Sequence, residues 1–189
     1  MNWINNIDSN WTLFLDRDGV INHESENDYI RDWDAFHFLP GVIESFNIFS
    51  NIFKRIFIVT NQKGVGKGLM TESDLIRINN KLVTTIENAG GHIDKIYYCI
   101  ALDDNDPCRK PNNGMALKAK QEFPEVEFKN SLMVGNTLGD MLFGKSTGMY
   151  TVFIPSSKPG LTLPHPLVDD VFPDLNTLAK ALQKSVAAK

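Results

Sequence analysis

Cysteine is scarce in this chain of 189 residues: Cys99 and Cys108 are the two it has. Two thiols make no disulfide framework, so a reduced protein held together by its core is expected. Long apolar runs are also absent, and none reaches the roughly 18 residues that a membrane-spanning helix needs. The opening stretch MNWINNIDSNW has neither a basic nor an apolar segment, so no secretory signal is read there. Positive charge is not in excess: 19 Lys and Arg stand against 23 Asp and Glu, a formal net charge of −4. That balance argues against a nucleic-acid module, which presents a basic patch to its anionic partner. It does not exclude a small anionic substrate, because one or two local cations can hold a phosphate inside an acidic protein. His23, His37, His92 and His165 show no metal-ligand spacing. Repeats and low-complexity tracts are missing. These absences lead to the expectation of a soluble cytoplasmic protein, monomer or weak dimer, with neither nucleic acid nor membrane as partner.

What is present is ordinary: 42% hydrophobic and 22% charged residues, in a length that suits one domain over 1–189. Short apolar runs recur at 11–15 (WTLFL), 55–60 (RIFIVT), 95–100 (KIYYCI), 131–135 (SLMVG) and 150–155 (YTVFIP). Nearly continuous apolar character over so few residues predicts strands buried on both faces, as in a parallel sheet. Helices are predicted between and after them, over 40–51, 71–91, 113–123, 138–148 and 173–184. The second opens on Thr71 with Asp74 three residues on, a capping-box pattern, and carries Leu75, Ile78, Leu82 and Ile86 at helical spacing. The piece 155–166 reads as a Pro-rich loop. Alternating strands and helices predict an α/β fold, a doubly wound, Rossmann-like parallel sheet with helices on both faces.

In such sheets ligands bind outside the carboxyl ends of the strands. Asp16, Asp18 and Gly19 follow the first strand, and Thr60 and Asn61 the second. Arg109 and Lys110 come shortly after the third, and Asn136 and Asp140 follow the fourth. An Asp-x-Asp turn alone can simply end a strand. With a hydroxyl, two cations and a further acid at matching strand ends, a reaction site is the better reading. The stretch KGVGKG (63–68) imitates a phosphate-cradling loop, but Asn61 and Gly68 stand where that motif needs Gly and Ser or Thr. It reads instead as a flexible loop that makes Lys63 or Lys67 available to substrate.

Four segments, LFLDRDGVIN, IVTNQKGVGKG, CRKPNNGM and MVGNTLGDM, resemble in order the four motifs of the haloacid dehalogenase-like phosphatases. DRDGVIN and TNQKGVGKG are most similar to the branch containing heptose 1,7-bisphosphate and histidinol-phosphate phosphatases. The resemblance implies a small phosphorylated metabolite as substrate, most readily a sugar bisphosphate, and hydrolysis through an aspartyl-phosphate. It implies Asp16 as nucleophile and Asp18 as general acid and base. Thr60 and the Asn61 backbone N–H would hold phosphoryl oxygens, and Lys110 would neutralise charge. Arg109 would meet a second phosphate or substrate oxygen. Asn22, His23 and Glu24 fall where this branch contacts the sugar. Mg²⁺ is implied on Asp16, Asp18, Asn136 and Asp140. Short stretches at 22–40 and 100–108 leave room for a minimal cap only.

The chain departs from this pattern twice. Asn136 stands where an Asp usually ligates the metal, which leaves open a weak or impaired enzyme that only binds phosphate. The loop YYCIALDDNDPCRKP has Ala101 and Asp106 in place of two zinc ligands, so no structural zinc is expected. A receiver-like signalling domain is the remaining alternative, but it requires its phospho-acceptor after a later strand.

Overall fold

The computed structural model describes residues 3–25, 28–156 and 161–189. Residues 26–27 of the expected insertion at 22–40, and 157–160 of the Pro-rich loop, lie outside the described residues.

Six strands form the sheet: β1 (Thr12–Leu15), β2 (Arg55–Asn61), β3 (Lys95–Cys99), β4 (Ser131–Gly135), β5 (Tyr150–Phe153) and β6 (Asp170–Val171). They are ordered β3-β2-β1-β4-β5-β6, and every pairing is parallel. This is the doubly wound order in which the winding reverses beside the first strand. The reversal puts a crevice outside the carboxyl ends of β1 and β4, where Asp16 and Asn136 sit.

Alternation along β1 divides the core in two. Leu13 and Leu15 pack with Ile56, Ile58, Leu132 and Val134 on one face, under α1 (Val42–Ser50), α3 (Glu72–Asn88) and α6 (Leu175–Ala187). Phe14 packs with Phe57, Val59 and Met133 on the other, under α4 (Gly114–Glu122) and α5 (Leu138–Thr147). Leu13, Phe14 and Leu15 are fully buried, which stabilises the fold by about 1.5–3 kcal/mol per side chain relative to exposure. Such burial explains why these runs carry no polar face. Phe14→Ala would leave a cavity beneath the site and cost about 3–5 kcal/mol.

The capping box of α3 forms as the spacing predicts. The Asp74 N–H donates to Thr71 Oγ1, and the Thr71 N–H donates to Asp74 Oδ2 at 2.9 Å, so Asp reaches as far as the usual Glu. Leu75, Ile78, Leu82 and Ile86 make its buried stripe.

Some elements differ from expectation. KGVGKG is not a loop throughout, because Lys63–Gly66 closes one helical turn, α2. Its Gly66 lies against the Ile100 carbonyl, with no room for a side chain. The short β6 and the 3₁₀ turns at Ile4–Asn6 and Phe128–Asn130 carry too few residues to show a period. The cysteines are not a reduced pair: Cys99, the last residue of β3, is disulfide-bonded to Cys108, with Cα atoms 5.5 Å apart. The loop between them, of sequence separation 9, returns the chain to the end of β3 and brings the two sulfurs together. The Asp106 carboxylate lies within 4.8 Å of both sulfurs.

Candidate active site

Gly135 and Gly19 shape the crevice. A Cβ on Gly135 would stand 2.2 Å from Asp140 Cβ, so only glycine lets the first turn of α5 fold back on β4. Gly19 has φ 85°, and a Cβ there would meet Asn136 Nδ2 at 2.1 Å. The chain after β1 can therefore turn away sharply and leave Asp16 and Asp18 at the rim.

The core of the crevice is a buried charge cluster around Lys110. Its Nζ donates to Asp16 Oδ1 at 2.7 Å and to the Val59 carbonyl at 2.7 Å, and is ion-paired with Asp140 Oδ1 at 2.6 Å. Two hydrogen bonds and one ion pair thus surround the ammonium. Burial alone would push the Lys110 pKa down, but Asp140 and Asp16 outweigh it and hold it above the ordinary value. The Asn61 side chain brackets the Lys110 backbone, accepting from its N–H and donating to its carbonyl, both at 3.0 Å. Burial, then the Asp140 charge, pushes the Asp16 carboxyl up to about 7 against the pull of Lys110.

Asp140 is held through its second oxygen. Its Oδ2 accepts from the Asn136 and Thr137 N–H groups and from Thr137 Oγ1, completing the capping box of α5. Asp18 is held differently. Its Oδ1 accepts from Asn22 Nδ2 at 2.9 Å, its Oδ2 accepts from Gln62 Nε2 at 2.9 Å, and Arg17 NH2 reaches both oxygens at 3.0 Å. Burial raises the Asp18 carboxyl, but Arg17 and then Asn22 more than offset this and hold it below its ordinary value. Arg17 itself is buried and lies over the Phe36 ring.

A cavity of ≈ 250 Å³ opens above these groups, lined by Asp16, Asp18, Glu24, Thr60, Asn61, Lys110 and Asp140 among others. Ser25, Asp28 and Tyr29 also line it. Several residues expected here stand elsewhere. Asn22 is fully buried and props Asp18, so it is not open to a sugar. His23 lines a neighbouring cavity of ≈ 350 Å³, which it shares with Glu24. Lys63 and Arg109 both pair with exposed Asp104, whose Oδ1 accepts from Lys63 Nζ at 2.9 Å and Arg109 Nε at 2.8 Å, while Arg109 NH1 is buried without a hydrogen-bond partner among the described residues. Asn136 is buried, and neither Nδ2 nor Oδ1 finds a hydrogen-bond partner among the described residues.

A cation fits this arrangement. Asp16, Asp18 and Asp140 outnumber the cations Arg17 and Lys110 that face them. Asn136 adds a buried amide oxygen without a donor, the kind of hard ligand that suits Mg²⁺.

Arg17, Gln62, Asp28 and Tyr29 were not singled out by the sequence. The signal for Gln62 was its place directly after Asn61 at a strand end. The others carried none, because burial of Arg17 and approach of Asp28 and Tyr29 follow from tertiary packing.

This fold and strand-end chemistry define the haloacid dehalogenase-like phosphatases, a class of phosphoric monoester hydrolases. The family described as Polynucleotide kinase 3 phosphatase matches residues 11–158. The D-glycero-alpha-D-manno-heptose-1,7-bisphosphate 7-phosphatase of Campylobacter jejuni is 38% identical, over 77% of this chain and 83% of that protein. The D-glycero-beta-D-manno-heptose-1,7-bisphosphate 7-phosphatase of Pasteurella multocida is 32% identical, over 78% of this chain and 83% of that one. The crystal structure of D,D-heptose 1,7-bisphosphate phosphatase from B. bronchiseptica, complexed with magnesium and phosphate, superposes with a TM-score of 0.80. It is 26% identical, with 92% of this chain and 98% of that chain covered. The chain belongs to this family, in its heptose bisphosphate phosphatase branch.

Proposed function

We propose that this chain removes the 7-phosphate of D-glycero-D-manno-heptose 1,7-bisphosphate, using Asp16 as nucleophile. The observation that carries the reading is the Asp16 carboxylate held 2.7 Å from Lys110 Nζ on the floor of the cavity, at the carboxyl end of β1. Relatives named for this substrate, matched over most of their length, supply the substrate class.

In this reading Lys110 fixes one Asp16 oxygen and leaves the other to attack phosphorus. The phosphoryl group passes to Asp16 as its bond to the sugar oxygen breaks, and Asp18 gives that oxygen a proton. Ionised Asp18 then takes a proton from the water that releases phosphate. The Thr60 hydroxyl and the Asn61 N–H donate to phosphoryl oxygens. Asp16, the Asp18 carbonyl and Asn136 Oδ1 would hold Mg²⁺, which supplies charge neutralisation for the phosphoryl group. Glu24, Ser25, Asp28 and Tyr29 offer acceptors and donors that suit a polyhydroxylated substrate. A phosphorylated sugar does not cross a bilayer unaided, which favours a cytoplasmic site of action.

The test is phosphate release across a Mg²⁺ series from both anomers of heptose 1,7-bisphosphate, from heptose 7-phosphate and from histidinol phosphate. Highest kcat/KM on one heptose bisphosphate anomer is expected. Preference for histidinol phosphate would overturn the substrate assignment, and no turnover on any of them would overturn the reaction.

A further inference from the structure

Gln62 follows β2 directly and is buried. Its backbone is pinned by the N–H donating to the Cys99 carbonyl at 2.7 Å. Its side-chain Nε2 makes two bonds, to Asp18 Oδ2 and to Thr60 Oγ1, both at 2.9 Å. Asp18 Oδ2 and Thr60 Oγ1 each accept one of the two Nε2 protons, so the NH₂ end of the amide is fully used. With Thr60 as the second tether, the amide has one orientation. Arg17 NH2 grips both Asp18 oxygens alike, and Arg17 Nε and Asn22 reach only Oδ1. Of the described side chains holding Asp18, Gln62 is the one bound to Oδ2 alone.

We infer that Gln62 is a positioning residue, which aims Asp18 Oδ2 at the leaving-group oxygen. The inference rests on the proposed role of Asp18 as proton donor. Without the Gln62 bond, Oδ2 keeps only the Arg17 NH2 contact that it shares with Oδ1, and its distance to the leaving oxygen is less tightly fixed. Proton donation matters in proportion to the basicity of the leaving oxygen. An alkoxide cannot leave without a proton, whereas a nitrophenolate can. Loss of aim should therefore be felt selectively, and loss of general packing should not.

The experiment compares wild type, Gln62→Met and Gln62→Asn on a sugar or alkyl phosphate and on 4-nitrophenyl phosphate. The readout is kcat/KM, which reports the step that expels the leaving group. For Gln62→Met a fall of roughly 100-fold on the alkyl ester, and of only a few-fold on the nitrophenyl ester, is expected. Gln62→Asn keeps the NH₂ group but shortens its reach, so it should show the same selectivity to a smaller degree, and it provides the answer if the Met variant fails to fold. Equal losses on both esters, or no loss on either, would overturn the inference. A wild type inactive on both esters would instead remove the proposed reaction, and the inference with it.

Discussion

Lys110 and Asp16 lie 94 residues apart in sequence, yet their side chains form a buried 2.7 Å hydrogen-bonded ion pair. The same ammonium reaches Asp140, so one cation keeps two carboxylates from repelling each other inside the sheet edge. Removing it leaves both acids buried without a counter-charge, and a lost partner of a buried pair costs about 3–5 kcal/mol. Lys110→Met should therefore lower stability in the metal-free protein as well as abolish turnover. Denaturant unfolding with chelator present checks the first, and unchanged stability would show that Lys110 is not the electrostatic centre of the site.

Asn136 presents a neutral amide oxygen where a carboxylate would add a full charge. Asn136→Asp should tighten Mg²⁺ binding by about tenfold or more, an effect of about 1.4 kcal/mol. Calorimetric titration without substrate measures this directly. Equal affinity in the two proteins would place the cation away from residue 136.

Asp16 yields a pH dependence with a definite sign. Its ordinary value is 3.8, and the fold raises it to about 7. Across that window the folded protein keeps a proton that the unfolded chain has lost, so stability falls as pH rises from about 4 to about 7 and then levels off. The lowered Asp18 acts in the opposite sense and only below its ordinary 3.8. In chelator, the stability of wild type relative to Asp16→Asn should decline across this range. A constant difference would mean that Asp16 is already ionised throughout.

The Cys99–Cys108 bridge closes a loop of sequence separation 9. Constraining the unfolded chain over so short a loop stabilises by about 2–3 kcal/mol. Cys99→Ala/Cys108→Ala should lose about that much in denaturant unfolding, and wild type treated with reductant should match it. Reductant without effect on wild type would show the thiols to be free in solution.

Much of the fold was legible because the evidence for it is local. β1, β2 and β4 are buried on both faces, so their apolar runs were unbroken, and Thr71 and Asp74 marked the start of α3. The carboxylates, Thr60 and Lys110 were legible because each follows a strand and the parallel order brings those ends together. Arg17 was not, since a guanidinium buried against Phe36 and paired with Asp18 has no one-dimensional signature. The use of Lys63 and Arg109 on Asp104, and of Asn22 on Asp18, was equally hidden. Sequence shows which side chains reach the rim, and only packing shows which of them already have partners. The disulfide was missed because a pair of cysteines reads as a remnant metal loop or as free thiols until the loop between them is closed in space.

Covalent capture tests the central claim, that Asp16 carries the phosphoryl group. The enzyme is mixed with heptose 1,7-bisphosphate and Mg²⁺, quenched within a single turnover and reduced with borohydride. The peptide spanning residues 12–22 is then examined by mass spectrometry. An acyl phosphate on Asp16 would be reduced to homoserine at that position, in wild type and not in Asp16→Asn. Steady phosphate release with residue 16 unmodified at every quench time would contradict the account.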